Sequence, residues 1–456
     1  MKPSTSFLHA TTTKAKLPPR GQVDVLLRIT PPTVKPGNIR AGVNIAIAVD
    51  TSGSMNEPID SRAQHPVPFF QLPAFNPFPA NPDFNPFPAN PEPLARPDIQ
   101  LPAKSKISQA IYAACQAVDH LSDGDRLSLV VFNGLAVAVV ESTPINPQNR
   151  GKIKSAIHGL MASGVTDLHS GWLMGAEQAA SFLSSKQLNR VLVLSDGHTN
   201  HGKTSIDDIC ADVSRLNQYG ISTSTFGIGE HFNEDILEKM AGCGSGNFYF
   251  IERECQLSKL FHDELSGINH TVGQSVELEF RPGSGVSVTG NKNQFILRDG
   301  KWLLPDLLQS RPLDVLVRLD TNRTKAGKKR LLGTFIISYL NNHGESVRLE
   351  KTVQGEVVAQ KAYDALKDNH EVGVANTLLE IAIGKRLATE QMSQGQYVQA
   401  EHSLRSVMIA ASTVCDSRTL AEASVLNSML DEYGSSDKNM LRKTLTSQAY
   451  NTRMSK

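Results

Sequence analysis

The sequence predicts an α/β fold with a doubly wound, mostly parallel sheet, followed by a small antiparallel β-sandwich and a C-terminal helical region. Three observations carry this. Between 43 and 268, strand-length apolar runs alternate with helix-length amphipathic ones. After 270 the apolar residues recur at period two, and from about 358 they recur at three and four spacing. The 456 residues, 40% of them apolar, amount to about three domains. The expected layout is 1–39 as an N-terminal tail and strand, 40–268 as the α/β domain with a proline-rich insert at 57–103, 270–355 as the sandwich, 356–435 as a helical hairpin or bundle, and 436–456 as a polar basic tail.

Val23, Val25, Leu27 and Ile29 alternate with polar partners, which marks a half-buried strand that PPTVKPGN then breaks. This strand is free to pair into the later β region. The α/β domain then reads VNIAIAVD, SQAIYAACQAVDHL, RLSLVVFN, LAVAVVES, RGKIKSAIHGLM, SGWLMGAEQAASFL, RVLVLSD, IDDICADVSRLNQYG, ISTSTFGIG, DILEKMAG and ECQLSKLFHDELSG. The hop from RLSLVVFN to LAVAVVES is too short for a crossover helix, so LAVAVVES is expected as an antiparallel edge.

Between Glu57 and Ala103, proline-rich sequence replaces a short link. FNPFPANPD repeats at once as FNPFPANPE. Proline at this density excludes helix and central strand and leaves extended chain. The segment is either a solvated loop or a lid over its neighbour, in which Asp83 or Glu92 would reach back to the preceding loop.

After 270, VELEF, VSVTG, QFILRDGKWLL, LDVLVRLD, RLLGTFIISYL and SVRLEKTV are strands separated by Gly, Asn and Asp turns, with Leu313, Val315, Val317 and Leu319 the clearest alternation. EVGVANTLLEIAIGKRLATEQM and QYVQAEHSLRSVMIAASTV, joined by SQG, form an antiparallel helical pair. Gly395, Tyr397 and Ala400 resemble one tetratricopeptide-like unit, and one copy is no array. Lys438, Arg442, Lys443, Arg453 and Lys456 read as a frayed basic tail.

A net charge of +1 argues against a globally basic nucleic-acid binder. No apolar run reaches membrane-spanning length, and the first residues lack the apolar core of a secretory signal. The five cysteines, Cys115, Cys210, Cys243, Cys255 and Cys415, contain no CxxC pair and read as reduced thiols, so a cytoplasmic protein is expected.

The chemistry lies at strand ends. VNIAIAVD runs into a loop carrying Asp50, Ser52 and Ser54, one carboxylate and two hydroxyls at alternate positions. GVTDLHSG supplies Thr166, and RVLVLSD ends on Asp196. Hard oxygen ligands of mixed charge suit Mg²⁺ or Mn²⁺, and open parallel sheets bind ligands at the carboxyl ends of their strands. In this order, Asp-x-Ser-x-Ser, then Thr, then Asp, the residues resemble the metal-ion-dependent adhesion site of the von Willebrand factor A (VWA) family, over residues 40 to 268. The resemblance implies a Rossmann-like sheet of an intracellular, bacterial-type VWA protein. It implies that Ser52, Ser54 and Thr166 bind the cation directly, that Asp50 and Asp196 act largely through water, and that the open position takes a partner's Asp or Glu.

A competing pattern is GHTNHGKT at Gly197 to Thr204, which satisfies G-x-x-x-x-G-K-[ST]. Asp196 immediately before it opposes an anion, and the acidic strand comparable to a Mg²⁺ support precedes the loop rather than following it. Gly197 is therefore expected to turn the chain, Thr204 or Ser205 to cap a helix, and Lys203 to face solvent. His198 and His201 read as loop residues, because a hard-oxygen site does not recruit imidazole. Glu57 and Asp167 read as solvated acids beside the ligand loops. There is no G-x-S-x-G elbow and no H-E-x-x-H helix.

The expected function is a non-enzymatic scaffold that engages a partner carboxylate through its metal ion, binding neither nucleic acid nor membrane. An alternative, implied by the same resemblance, is a regulatory subunit of an AAA+ ATPase of the MoxR or chelatase type. Nucleotide hydrolysis through GHTNHGKT is the least supported reading.

Overall fold

A computed structural model of the chain describes residues 7–31, 42–59, 105–184, 186–197, 201–229, 232–341 and 343–454. The repeats of the insert, with Asp83 and Glu92, lie outside the described residues, as do His198 and the side chain of Cys255.

Two strands, β1 (Leu8–Thr12) and β2 (Gly21–Ile29), precede the α/β domain. That domain runs β3 (Gly42–Asp50), α1 (Lys106–His120), β4 (Arg126–Phe132), β5 (Ala136–Pro144), α2 (Arg150–His158), α3 (Leu168–Ala180), β6 (Gln187–Ser195), α4 (Ile206–Gln218), β7 (Ile221–Ile228), α5 (Glu234–Cys243), β8 (Ser245–Ile251) and α6 (Glu254–Asn269). Its sheet has the order β5-β4-β3-β6-β7-β8. All neighbours are parallel except β4 and β5, which form the expected antiparallel edge.

Strand β3 is buried on both faces, as a near-continuous apolar run requires. Val43, Ile45, Ile47 and Val49 pack into the core layer shared with α1 and α6, while Ala46 and Ala48 face the layer of α3. Small residues let α3 approach closely. A Cβ on Gly171 would stand 2.2 Å from Phe132 Cδ1, and one on Gly175 would stand 3.1 Å from Val191 Cγ1. Helix α3 is thereby seated on the sheet with its first turn at the strand ends, where Thr166 lies.

The β region follows as β9 (Thr271–Pro282), β10 (Val286–Asn291), β11 (Leu297–Arg298), β12 (Lys301–Leu303), β13 (Leu307–Leu308), β14 (Leu313–Thr321), β15 (Lys329–Asn341) and β16 (Ser346–Glu356). Two antiparallel sheets result, β1-β2-β14-β10 and β11-β12-β9-β15-β16, with β13 beside β9. The early strand pairs with β14 in the register Val25↔Val317 and Leu27↔Val315, so the alternating faces of both point into one core with Leu278, Phe335 and Ile337. Strand β1 was not foreseen. Its sequence LHATT has no clear alternation, and pairing with β2 creates it.

Helices α7 (Gln360–Asp364), α8 (His370–Ser393), α9 (Tyr397–Thr413), α10 (Ser417–Asp431) and α11 (Lys438–Arg453) complete the chain. Helix α8 lays Val372, Ala375 and Leu379 on Leu26 and Leu316 of the β region. The tail expected to fray is instead α11, started by Asp437, whose side chain accepts from the Asn439 and Met440 amides. It docks on the α/β domain: Lys443 Nζ donates to Phe232 O at 2.6 Å, and the Tyr450 hydroxyl donates to Gly246 O at 2.9 Å. Of the basic residues that suggested a solvated tail, Lys443 and Arg453 are buried and paired with Glu234 and Glu238, and Arg442 joins Glu234 from a partly exposed position.

Candidate metal centre

The order of strands reverses between β3 and β6, since the chain leaves β3 toward β4 and leaves β6 toward β7. Such a switch point opens a crevice at the carboxyl ends of the strands. Because β3 and β6 are parallel and in register to Val49↔Leu194, Asp50 and Asp196 emerge at the same edge.

Three loops are fastened together there by backbone bonds. Gly53 N donates to Gly164 O at 3.1 Å, and Ser163 N donates to Thr51 O at 2.6 Å. Asp167 N donates to Asn133 O at 2.7 Å, and Thr51 N donates to Phe132 O at 2.7 Å. Gly164 adopts φ of +87°, a conformation glycine tolerates without strain. The Ser52–Ser54 loop and the Thr166 loop are therefore held by bonds that no side-chain substitution removes.

The side chains converge. Asp50 is fully buried; its Oδ1 accepts from Ser52 N at 2.8 Å and its Oδ2 from Ser195 Oγ at 2.7 Å. Ser52 Oγ and Ser54 Oγ lie 3.2 Å apart, and Ser54 Oγ donates to Asp196 Oδ1 at 2.9 Å. Thr166 meets this group through Gly197. A methyl added at Gly197 would stand 2.9 Å from Thr166 Oγ1 and 3.6 Å from Asp50 Oδ2, so both oxygens border the space that glycine leaves. All five positions expected from the sequence are brought to one place.

The electrostatics favour a cation at Asp50. Burial pushes its carboxyl up to about 6, against hydrogen bonds from Ser195 and Ser52, and the neighbouring Asp196 adds to the rise. Carboxylates and hydroxyls are hard donors, and the missing side chain at Gly197 lets the backbone lie close against Thr166 Oγ1 and Asp50 Oδ2. The residues fit a small divalent cation. Among the described residues no group of three or more His, Cys, Asp and Glu is arranged to hold a metal, so the hydroxyls are essential to any such site.

Lys106 is the member that sequence reasoning missed. Its Nζ donates to Asp196 Oδ2 at 2.7 Å and lies 3.3 Å from Glu57 Oε2, and its side chain is only 2% exposed. Glu57, read as a solvated acid, is half of an ion pair, although its own side chain is 58% exposed. The clue in the sequence was a lysine at the first position of α1, where helices favour acidic residues.

Asp167 is likewise not a free loop acid. It caps α3, accepting from Ser170 N at 3.0 Å and Ser170 Oγ at 2.8 Å. Ser205 caps α4 as expected. Lys203 is exposed, as expected, and pairs at the surface with Asp212 at 2.6 Å, while Asp212 also meets His169 Nε2 at 3.0 Å. The lysine of the phosphate-loop pattern is thus engaged with a carboxylate.

Residues 103–263 match the family model of the von Willebrand factor type A domain. Thr166 and Asp196 fall inside that span, while Asp50, Ser52 and Ser54 lie ahead of it, across the insert. The chain is 30% identical over 150 residues to the uncharacterized protein sll0103 of Synechocystis sp., covering 33% of this chain and 34% of that one. It is 28% identical over 168 residues to the uncharacterized protein YfbK of Escherichia coli, covering 36% and 29%. The matched region thus spans about a third of each relative's length. In fold, the chain is similar to von Willebrand factor type A from Catenulispora acidiphila, with a TM-score of 0.64 at 16% identity over 94% of this chain and 91% of that one.

Proposed function

We propose that this protein, whose α/β unit has a VWA-like fold, is a non-enzymatic binding protein whose Asp50, Ser52, Ser54, Thr166 and Asp196 hold Mg²⁺ or Mn²⁺ and present it to a carboxylate of a partner protein. The observation that carries the reading is the convergence of these oxygens from three loops at the switch point between β3 and β6. VWA domains commonly mediate protein interactions, and the matched family supports that class.

When bound, the cation supplies a Lewis-acidic position for an external oxygen ligand. The chain's own residues do the rest. Asp50, oriented by the Ser52 amide and the Ser195 hydroxyl, sets the charge at one side of the site, and Asp196 sets it at the other. The backbone bonds between Gly53, Gly164, Thr51 and Ser163 hold the hydroxyl-bearing loops in place before any ligand arrives, so little ordering cost falls on binding.

The test is affinity purification with the full chain in Mg²⁺ and in EDTA, followed by mass spectrometry, with Asp50→Ala and Thr166→Ala beside the wild type. Partners retained in Mg²⁺ and lost in all three other conditions are the expected result. Partner binding that survives chelation and both substitutions would refute the metal-dependent reading. An AAA+ ATPase among the metal-dependent partners would place the chain as a subunit of such a machine.

A further inference from the structure

A divalent-cation site gains nothing from a lysine unless the lysine has a task there. Lys106 nevertheless reaches Asp196, one of the two carboxylates of the cluster. It is the first residue of α1, behind the Ser105 cap, and its stem passes under Gly229, where an added Cβ would stand 3.1 Å from Lys106 Cε. Its Nζ is held by Asp196 Oδ2 at 2.7 Å, Glu57 Oε2 at 3.3 Å and the carbonyl of Ser54 at 3.5 Å. Asp196 and Lys106 are 0% and 2% exposed, so water screens their attraction little.

We infer that Lys106 is the resident counter-cation of this site: it holds Asp196 while the divalent ion is absent, lowers the affinity for that ion, and makes the loaded site depend on an external anion. The inference rests on the metal reading above and deepens it. Asp50 and Asp196 together carry two negative charges, which a divalent ion would cancel. With Lys106 enclosed beside them the loaded cluster keeps one surplus positive charge, and Glu57, largely in solvent, compensates it only weakly. The surplus acts in two directions. It repels the incoming ion, and once the ion is seated it strengthens the pull on a carboxylate supplied from outside.

Position adds a second consequence. Lys106 begins α1 at the far end of the insert, and the Lys106 amide donates to Glu57 O at 2.8 Å while Pro58 bridges to Ser105. The two chain ends that flank the insert are thus pinned to each other at the lysine.

The experiment is titration of Mn²⁺ and Mg²⁺ into the full chain, by electron paramagnetic resonance and calorimetry, for wild type, Lys106→Met and Lys106→Arg, with circular dichroism melts to verify the fold. Lys106→Met is expected to bind the ion at least about tenfold more tightly, from removal of a like charge a few ångströms away, and Lys106→Arg to stay near wild type. Lys106→Gln keeps a donor for Asp196 and replaces Lys106→Met if that variant does not fold. Equal or weaker binding by the neutral variants, with wild type binding normally, overturns the counter-cation assignment and leaves the metal reading intact. Binding by Lys106→Met with none by wild type upholds the assignment and removes the metal reading for the native chain. Binding by neither overturns both.

Discussion

Lys443 Nζ lies 2.7 Å from Glu234 Oε2, and both side chains are buried although 209 residues separate them. Glu234 also receives Arg442 at 2.7 Å, and nearby Arg453 and Arg386 share Glu238. Through these pairs α11, joined by Arg386 of α8, is clamped to α5 of the α/β domain.

Breaking a buried pair leaves an uncompensated charge and costs about 3–5 kcal/mol. Lys443→Met should fall at the lower end of that range, because Arg442 still faces Glu234, and Glu234→Ala should cost more because it strands both cations. Urea denaturation monitored by circular dichroism measures the difference. Equal losses for the two variants would show that Arg442 gives Glu234 no compensation.

A second buried cluster predicts acid sensitivity. Glu264 is buried, which pushes its carboxyl up, but Arg190 at 2.7 Å and hydrogen bonds from Ser224, Asn247 and Tyr249 outweigh burial and hold it below its ordinary value. A carboxyl depressed in the folded state contributes stability that is present above its unfolded value and lost as pH falls through the lowered folded value. Stability should therefore drop on acidification below the ordinary carboxylate range. Glu264→Gln should be less stable at neutral pH and should flatten this acid limb. An unchanged acid limb in Glu264→Gln would remove Glu264 from the account.

Gly197→Ala tests the shared cradle. The added methyl would press on Thr166 Oγ1 at 2.9 Å. Overpacking of this kind costs about 1–3 kcal/mol of stability, and the displaced Thr166 hydroxyl should weaken Mn²⁺ binding. Wild-type affinity in this variant, measured by calorimetry, would mean that Thr166 and Asp50 do not border the same ion.

Lys203→Ala addresses the phosphate-loop pattern. The Lys203–Asp212 pair is partly exposed, so its loss should cost about 0–1 kcal/mol and shift the melting temperature little. Fluorescent ATP analogues should bind neither protein. ATP binding that is present in wild type and lost on this change would restore the nucleotide reading.

Much of the architecture was legible because it rests on local pattern. The strand and helix periods of 43–268 placed five of the six strands of this sheet, β3 to β7, and the short link after RLSLVVFN identified its antiparallel edge; the edge strand β8, SGNFYFI, was not foreseen. Strand-terminal aspartates and alternating hydroxyls likewise announced Asp50, Ser52, Ser54, Thr166 and Asp196 as a set, since a doubly wound sheet delivers such ends to one edge. The fold similarity to a solved VWA structure agrees with that order of elements.

What escaped the sequence were the partners of charges. Lys106 drew no reading, and Lys443 and Arg453 looked like a solvated tail. Each is settled by carboxylates that only folding brings near, 90 residues away for Lys106 and 209 for Lys443. Periodicity is a property of neighbours in the chain, so it is written in the sequence. Neutralisation of a buried charge depends on which distant group shares its low-dielectric surroundings, and for the candidate metal centre that is the difference between two carboxylates awaiting an ion and two carboxylates already half answered by Lys106.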